Sequence, residues 1–499
     1  MSLAQFGFGI AVFAVPDYFN KLKRLLGNPV ALAWIGLYLL FMFGGFASQD
    51  MDYFLKEIRT KMPIWVMPAA LAFMPALSRR NHSLVLHFFV AGCIVAMVAG
   101  WYNTFTGNVV DRRDLSPLVS HIRLGLYLVL SLFILVRFII PKNADIRFLP
   151  KGVYVVIFLI LLFWLFYLKS FTAVIFFIIL FPLTLLFLLL PRINRGLKIG
   201  LFSVLSMGGV VIVSYLVYSV SQFYSYTPVD YGALPKRTAL GNDYIHDSTL
   251  FTTENGNHIW IYLQFDEMRD TWNEKSAIRY DSVDKKGNPI RATLIRYLAS
   301  KNLTRDAEGV NTLVADDVRN IENGIPNYLY GEAFNIKGRI YETLWEFEVY
   351  QGSGDPNGKS LSARIEMWKA SVSAIRKSPI SGYGTGDVRH ALQSELRARD
   401  SKMLYHRQFG PHNQYLVVLL AIGLPGLCWM LFAFLLPLFG TKYKPSFLFY
   451  VMLGILLLSA LNEDIFETQA SVTFFAFAFH FLLMDGKKQN QSHNRNNGA

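Results

Sequence analysis

Eleven apolar stretches, most of them near the ~20 residues that cross a bilayer, constrain this 499-residue chain more than any other feature. They lie at about 3–18, 30–47, 63–77, 83–101, 122–140, 151–168, 171–190 and 199–222. After a long hydrophilic stretch, three more follow at about 413–437, 446–461 and 469–484. The expected fold class is an all-α polytopic integral membrane protein of about 11–12 transmembrane helices with one large outer loop. The net charge of +13 could suggest nucleic acid, but the basic residues are spread among short loops between apolar segments. Membrane topology and anionic headgroups explain that pattern, so membrane lipids are expected partners and nucleic acid is not. The two cysteines, Cys93 and Cys428, sit in apolar segments, leaving the hydrophilic stretch without a disulfide framework. Residues 3–15 are apolar but lack the basic start and cleavage site of a secretory signal.

Alternating spans put Lys21/Lys23/Arg24, Arg79/Arg80, Lys142/Arg147/Lys151, Arg192/Arg195/Lys198, Lys442/Lys444 and Lys487/Lys488 on one side, which should be the cytoplasm. Loops 48–62, 102–121 and 462–468, the Lys169-Ser170 link and all of 223–411 then face outward. Four regions follow: an N-terminal membrane region at 1–222, an outer loop domain at 223–411, a C-terminal membrane region at 412–485 and a polar, disordered cytoplasmic tail at 486–499. Within the outer domain, 289–301 and 361–377 read as helices, and clusters of Asn, Gly and Pro at 284–289 and 352–358 read as turns.

Four constellations could carry chemistry. Pro411-His412-Asn413-Gln414-Tyr415 runs into an apolar helix containing Gly423-Leu424-Pro425-Gly426, which puts His412 in the first turn at the water–lipid boundary. A helix N-terminus favours anions and disfavours imidazolium, so His412 is expected neutral and able to accept a proton. On an unbroken helix His412 and Gly423 share a face, ~16 Å apart. Gly423 and Gly426 would admit a close neighbour, and Pro425 would bend the helix. Alone, such a histidine reads first as the polar mark of a helix end. Arg364 and Trp368 fall at i and i+4 on one helix face, suited to phosphate and to a sugar ring. An amphipathic helix with a snorkelling arginine fits them equally well. The Gly382-Tyr383-Gly384-Thr385-Gly386 run reads as a tight turn returning the chain to the membrane, since it matches no phosphate-binding loop. His121-Ile122-Arg123 opens another apolar segment, where arginine is first an interfacial anchor. Asn462-Glu463-Asp464-Ile465-Phe466-Glu467 puts three carboxylates on the outer face, fitting charge balance or the holding of an arginine better than a metal site.

Together these motifs resemble the O-antigen ligase and O-antigen polymerase superfamily. The resemblance rests on His412-Asn413 followed by Gly423-Leu424-Pro425-Gly426, on Arg364 with Trp368, on the Gly382–Gly386 turn, and on the Asn462–Glu467 and His121–Arg123 motifs. It is specific over roughly 360–484, and the long outer loop looks like that of Bacteroidetes members. It implies a GT-C-like glycosyltransferase in the bacterial inner membrane, its active site facing the periplasm, with no cofactor and no metal. The donor would be a polyprenyl-pyrophosphate-linked glycan, and the acceptor the lipid A-core for a ligase or another glycan for a polymerase. A protein O-oligosaccharyltransferase and a glycolipid transporter are the remoter readings. By position Arg364 matches an arginine that binds the pyrophosphate and His412 the histidine essential for transfer, acting as base or as hydrogen-bond donor. Asn413, Trp368, Lys169, Arg123 and His121 would bind substrate, and Gly423, Gly426 and Gly384 would serve structure. The family arginine of the mid-chain turn is missing from Leu168-Lys169-Ser170-Phe171-Thr172, where Lys169 is the available stand-in. Family members have about twelve helices, so eleven here implies a shortened N-terminus.

Overall fold

The computed structural model of the protein describes residues 16–75, 77–107, 112–140, 146–168, 170–189, 194–331, 335–403, 410–439 and 445–496, with residues 7, 9, 10, 12 and 14. The first expected span, 3–18, lies mostly outside them. The chain forms two compact units, residues 1–193 with 353–499, and residues 194–352.

In the first unit, α1 (Tyr18–Leu26) and α2 (Pro29–Phe43) come first; α2 opens on Asn28, whose side chain accepts from the Ala31 N–H, with Pro29 at the first helical position. Next come α3 (Met51–Lys61), capped by Asp50, α4 (Pro63–Phe73) and α5 (Arg79–Phe105), capped by Ser78. Three apolar helices follow, α6 (His121–Ile139), α7 (Lys151–Tyr167) and α8 (Phe171–Leu189). The second unit contributes α9 (Arg195–Tyr224), α10 (Phe265–Lys275), α11 (Ile290–Ser300), α12 (Ala315–Glu322) and α13 (Ile336–Ser353). The first unit resumes with α14 (Ser360–Lys377), α15 (Val388–Ala398), α16 (Gln414–Phe439), α17 (Phe447–Asn462) and α18 (Gln469–Asn496).

This is an all-α polytopic membrane protein. Among the described residues, α2 with its following turn, α5, α6, α9 and α16 are long and apolar enough to cross a membrane, and α7, α8, α17 and the apolar part of α18 are shorter. Two expectations need correction. Residues 48–62, read as a loop, contain α3, because Asp50 caps a run of polar helix formers. Residues 486–499, read as a disordered tail, continue α18 as far as Asn496, with no proline to stop it.

Because lipid is as apolar as leucine, these helices associate through close packing rather than through release of water. Trp34 on α2 is fully buried, its ring 5.4 Å from Phe434, 5.0 Å from Phe479 and 6.2 Å from Phe466. Two residues along, Gly36 makes room for Trp429, whose Nε1 donates to the Ala33 carbonyl at 2.9 Å; a Cβ on Gly36 would stand 2.7 Å from that indole.

α16 is not continuous. Gly423 leaves the helical region at φ 65°, ψ −166°, which breaks the ladder within the membrane segment. The Pro379–Thr385 turn repairs the break. Tyr383 N–H donates to the Leu420 carbonyl (2.7 Å), Gly384 N–H to Ala421 (3.0 Å), and Leu424 N–H to the Pro379 carbonyl (2.9 Å). Backbone polar groups at membrane depth need such partners from the protein itself. The same turn is tied to the end of α2: Thr385 Oγ1 donates to the Phe41 carbonyl (2.7 Å), and the Asp387 carboxylate accepts the N–H groups of Gln49 (2.6 Å) and Asp50 (3.0 Å). The shared face expected for His412 and Gly423 does not form, because His412 lies before the helix with a left-handed backbone, and Gly423 rather than Pro425 makes the bend.

The second unit has its own core around Trp272, Tyr280, Leu294, Tyr297 and Leu298. A two-stranded hairpin, Thr253–Glu254 against Asn257–His258, is braced by the buried Glu254, which pairs with Arg296 at 2.5 Å and accepts from Asn327 Nδ2 at 2.7 Å. Helices at 290–300 and 360–377 and the turns at 284–289 and 352–358 fall where the sequence puts them.

Candidate active site

His412 is not in the first helical turn. α16 begins at Gln414, and Asn413 is its cap, Oδ1 accepting from Tyr415 N–H (3.0 Å) and Leu416 N–H (3.2 Å). His412 precedes the cap with a left-handed backbone, φ 48°, a conformation that costs a side-chain-bearing residue about 1–2 kcal/mol. Asp464 offsets that cost by accepting the N–H groups of both His412 (3.1 Å) and Asn413 (2.7 Å). Gln414 completes the clasp, its Oε1 accepting from Phe466 N–H at 2.8 Å. Burial raises the Asp464 carboxyl above the usual carboxylate range, although His412 and the two N–H groups act against it.

Arg364 and Trp368, one turn apart on α14, grip the two sides of this clasp. Arg364 Nη1 donates to Asn462 Oδ1 at 2.6 Å and Nη2 to Glu463 Oε1 at 3.1 Å, while Trp368 Nε1 donates to the Pro411 carbonyl at 2.7 Å. The other oxygen of Glu463 lies 3.8 Å from His412 Nδ1. Glu463 thus stands between the arginine and the histidine, the arginine-holding use of the Asn462–Glu467 carboxylates.

His412 also lines a cavity of about 220 Å³, together with Pro411, Thr385, Asp464 and Glu467 from the other motifs and with side chains that no motif marks. Lys61 at the end of α3, 2% exposed, is bonded to Glu57 Oε2 (2.5 Å) and Glu467 Oε1 (2.8 Å). Tyr53, from the same helix, and Arg389, from α15, line the cavity beside them, the Arg389 guanidinium 4.0 Å above the Tyr53 ring. Burial pushes Glu57 up, but the Lys61 charge and hydrogen bonds from Glu467, Lys61 and Tyr53 outweigh it and hold this carboxyl at about 2. Glu467 moves the other way, well above the ordinary value, because burial and the neighbouring Glu57 charge exceed the pull of Lys61. Of the two carboxyls facing Lys61, Glu57 is thus the one that more readily carries the negative charge. In the sequence Glu57 and Lys61 show only an i, i+4 spacing between two spans, and Glu467, in the carboxylate motif, is 406 residues from Lys61, so nothing along the chain joins them.

The remaining expected site residues divide. Arg123 Nη2 donates to Thr468 Oγ1 at 2.7 Å, which ties the start of α6, where His121 is the first residue, to the end of the carboxylate loop. Neither residue lines the cavity. Lys169 lies outside the described residues. Three positions on, Thr172 Oγ1 accepts from Asn462 Nδ2 at 3.1 Å, the same asparagine that Arg364 holds. Gly423 and Gly384 admit neighbouring backbone: a Cβ would meet the Ile380 carbonyl at 1.9 Å and the Gly44 carbonyl at 2.9 Å, respectively. A Cβ on Gly426 would meet the Ile422 side chain at 2.2 Å.

Comparison with known protein families gives a match over residues 323–431 to the family described as O-antigen ligase. That stretch carries the O-antigen ligase pattern. It contains Arg364, Trp368, the Gly382–Gly386 turn, His412 and the break at Gly423, which are the residues through which the superfamily was recognised. The carboxylate loop at 462–468 and α3 fall outside the O-antigen ligase match. An uncharacterized protein of Haemophilus influenzae is 24% identical over 153 residues, covering 31% of this chain and 37% of that relative. The chain thus aligns with little more than a third of that relative's length.

Proposed function

We propose that this protein is an O-antigen ligase, transferring a glycan from polyprenyl pyrophosphate to the lipid A-core on the periplasmic face of the bacterial inner membrane. The observation that carries the reading is Glu463, which holds Arg364 on one oxygen and faces His412 with the other, beside a charged cavity and within reach of the O-antigen ligase match. In the reaction an acceptor hydroxyl attacks the anomeric carbon of the donor. The carbon–oxygen bond to pyrophosphate breaks and its electron pair leaves with the pyrophosphate, while the hydroxyl proton passes to the His412 imidazole. Such general-base help is worth about 10²–10⁴-fold. Arg364 would exchange Asn462 and Glu463 for a phosphate, which its planar fork suits, so that charge on the leaving group is neutralised as it develops. Arg389 is a second cation on the cavity wall for the same purpose. Trp368 and Asn413 shape the site, and Lys169, Arg123 and His121 remain proposed contacts to substrate.

The test is a lipopolysaccharide gel from a deletion strain complemented with wild type or His412→Ala, with the lipid-linked glycan pool measured alongside. The expected result for the variant is bare lipid A-core with long glycan accumulating on its carrier. Single repeats still joined to the core would instead identify a polymerase. An unchanged ladder would remove both the ligase and the polymerase readings and turn attention to a protein acceptor or to transport.

A further inference from the structure

The second unit contains a larger cavity, about 630 Å³, which the transfer chemistry does not use. We propose that it is a saccharide-binding site, an inference that rests on the glycosyl-transfer reading for the origin of its ligand. Among the described residues the lining is almost wholly polar and uncharged apart from lysine: tyrosine rings at 226, 328 and 341, amides at 255, 257 and 302, Lys301 and Lys337, with Leu329 as an aliphatic residue and no carboxylate. The volume is that of a small-ligand site rather than an ion site. Aromatic faces with amide and ammonium groups match a sugar, which presents an apolar ring face and a rim of hydroxyls.

The polar groups are held in place. The hairpin turn at Asn255-Gly256 and the residue Asn302 all take left-handed backbones, with φ of 51°, 85° and 56°. Asn257 Nδ2 donates to the Ala299 carbonyl at 3.1 Å, fixing the amide plane and leaving Oδ1 to accept from a ligand hydroxyl. The two lysines differ. Lys301 is neutralised by Asp317 at 2.7 Å, whereas Lys337 lies 5.2 Å from the Tyr341 ring centroid, and its partner among the described residues is that ring rather than a carboxylate. With the Tyr341 ring as its partner among the described residues, the Lys337 ammonium favours a saccharide bearing an acidic group. Gln222 and Ser225 place the cavity at the C-terminal end of α9, the end that the basic residues Arg195 and Lys198 assign to the outer side. Most of the described lining precedes residue 323, where the O-antigen ligase match begins, while Tyr328, Leu329, Lys337 and Tyr341 lie inside it.

Both the donor glycan and the acceptor core offer this chemistry, and binding measurements distinguish them. Full-length protein in nanodiscs is titrated with two probes, followed by calorimetry: the oligosaccharide released by mild acid from the producing cell's lipid-linked pool, and the deacylated core oligosaccharide from its lipopolysaccharide. Binding of the first alone makes this a donor site and of the second alone an acceptor site, and binding of both means that the shared sugar chemistry decides. In each case Tyr226→Ala with Lys337→Gln weakens binding at least tenfold, and Lys337→Arg restores it. The proposal falls if neither probe binds, if the double variant binds unchanged, or if inorganic phosphate displaces the sugar. Transfer that survives His412→Ala removes the base role given to His412, and a deletion strain with an unchanged ladder sinks the lipopolysaccharide-transfer reading; either leaves the binding result standing.

Discussion

Lys61 shows how much of the site depends on single side chains. With 2% of its surface exposed, its ammonium is compensated by Glu57 and Glu467 rather than by water. Their opposite displacements give stability a definite pH course. Glu57, held at about 2, stabilises the fold above the ordinary carboxyl value near 4.3, and that contribution is lost as pH falls toward 2. Glu467 is raised, so folding takes up a proton there, and stability falls as pH rises from about 4.3 through its raised value. Glu467→Gln, which imitates the protonated acid, should fold well and remove only the second effect in a pH series of thermal unfolding in detergent. The Glu57→Gln, Glu467→Gln double variant leaves a buried ammonium with no anion and should lose about 3–5 kcal/mol. Equal stability of the single and double variants would show that Lys61 finds its compensation elsewhere. His412 is different in kind: its left-handed backbone is held by Asp464, so the orientation of the imidazole depends on a carboxylate 52 residues away.

At the scale of elements, the decisive feature is the break in α16 and the turn that fills it. Gly423 has φ 65°, and a Cβ there would lie 1.9 Å from the Ile380 carbonyl oxygen, a backbone atom that cannot move without displacing the Pro379–Gly384 turn. Gly423→Ala is expected to cost about 1–3 kcal/mol or more through the combination of strained backbone and clash. Gly426→Ala meets only the Ile422 side chain, which can change rotamer, so it should cost less. Apparent melting temperatures of the two variants in the same detergent test this order, and a Gly426 variant weaker than the Gly423 one would contradict it. Since the turn also ties α2 and the Ser48–Asp50 loop through Thr385, Gly386 and Asp387, its displacement should reach α3 and Lys61. Loss of transfer activity should therefore accompany the Gly423 variant.

At the scale of the whole molecule, the alternation of basic loops predicts which surfaces meet which compartment. With Cys93 and Cys428 replaced, single cysteines at Thr249 should react with a membrane-impermeant maleimide on spheroplasts, and those at Arg80 or Arg195 only after lysis. Labelling of Arg80→Cys on intact spheroplasts would invert the topology. The sequence by itself determined the membrane class and the helical fold, because apolar length is a local property and lipid leaves the backbone little choice but helix. The family resemblance singled out Arg364, Trp368 and His412, and in the structure all three meet the segment around Pro411 and Glu463. It misread 48–62 as a loop and α16 as unbroken, since the cap at Asp50 is a weak local signal and the break at Gly423 is stabilised by a segment 40 residues earlier. Only the tertiary structure set Glu463 between Arg364 and His412, and only it brought Glu57, Lys61 and Glu467 onto one cavity wall. Those arrangements arise from charges finding partners 51 to 406 residues away, and no periodicity along the chain records which partner a charge will find.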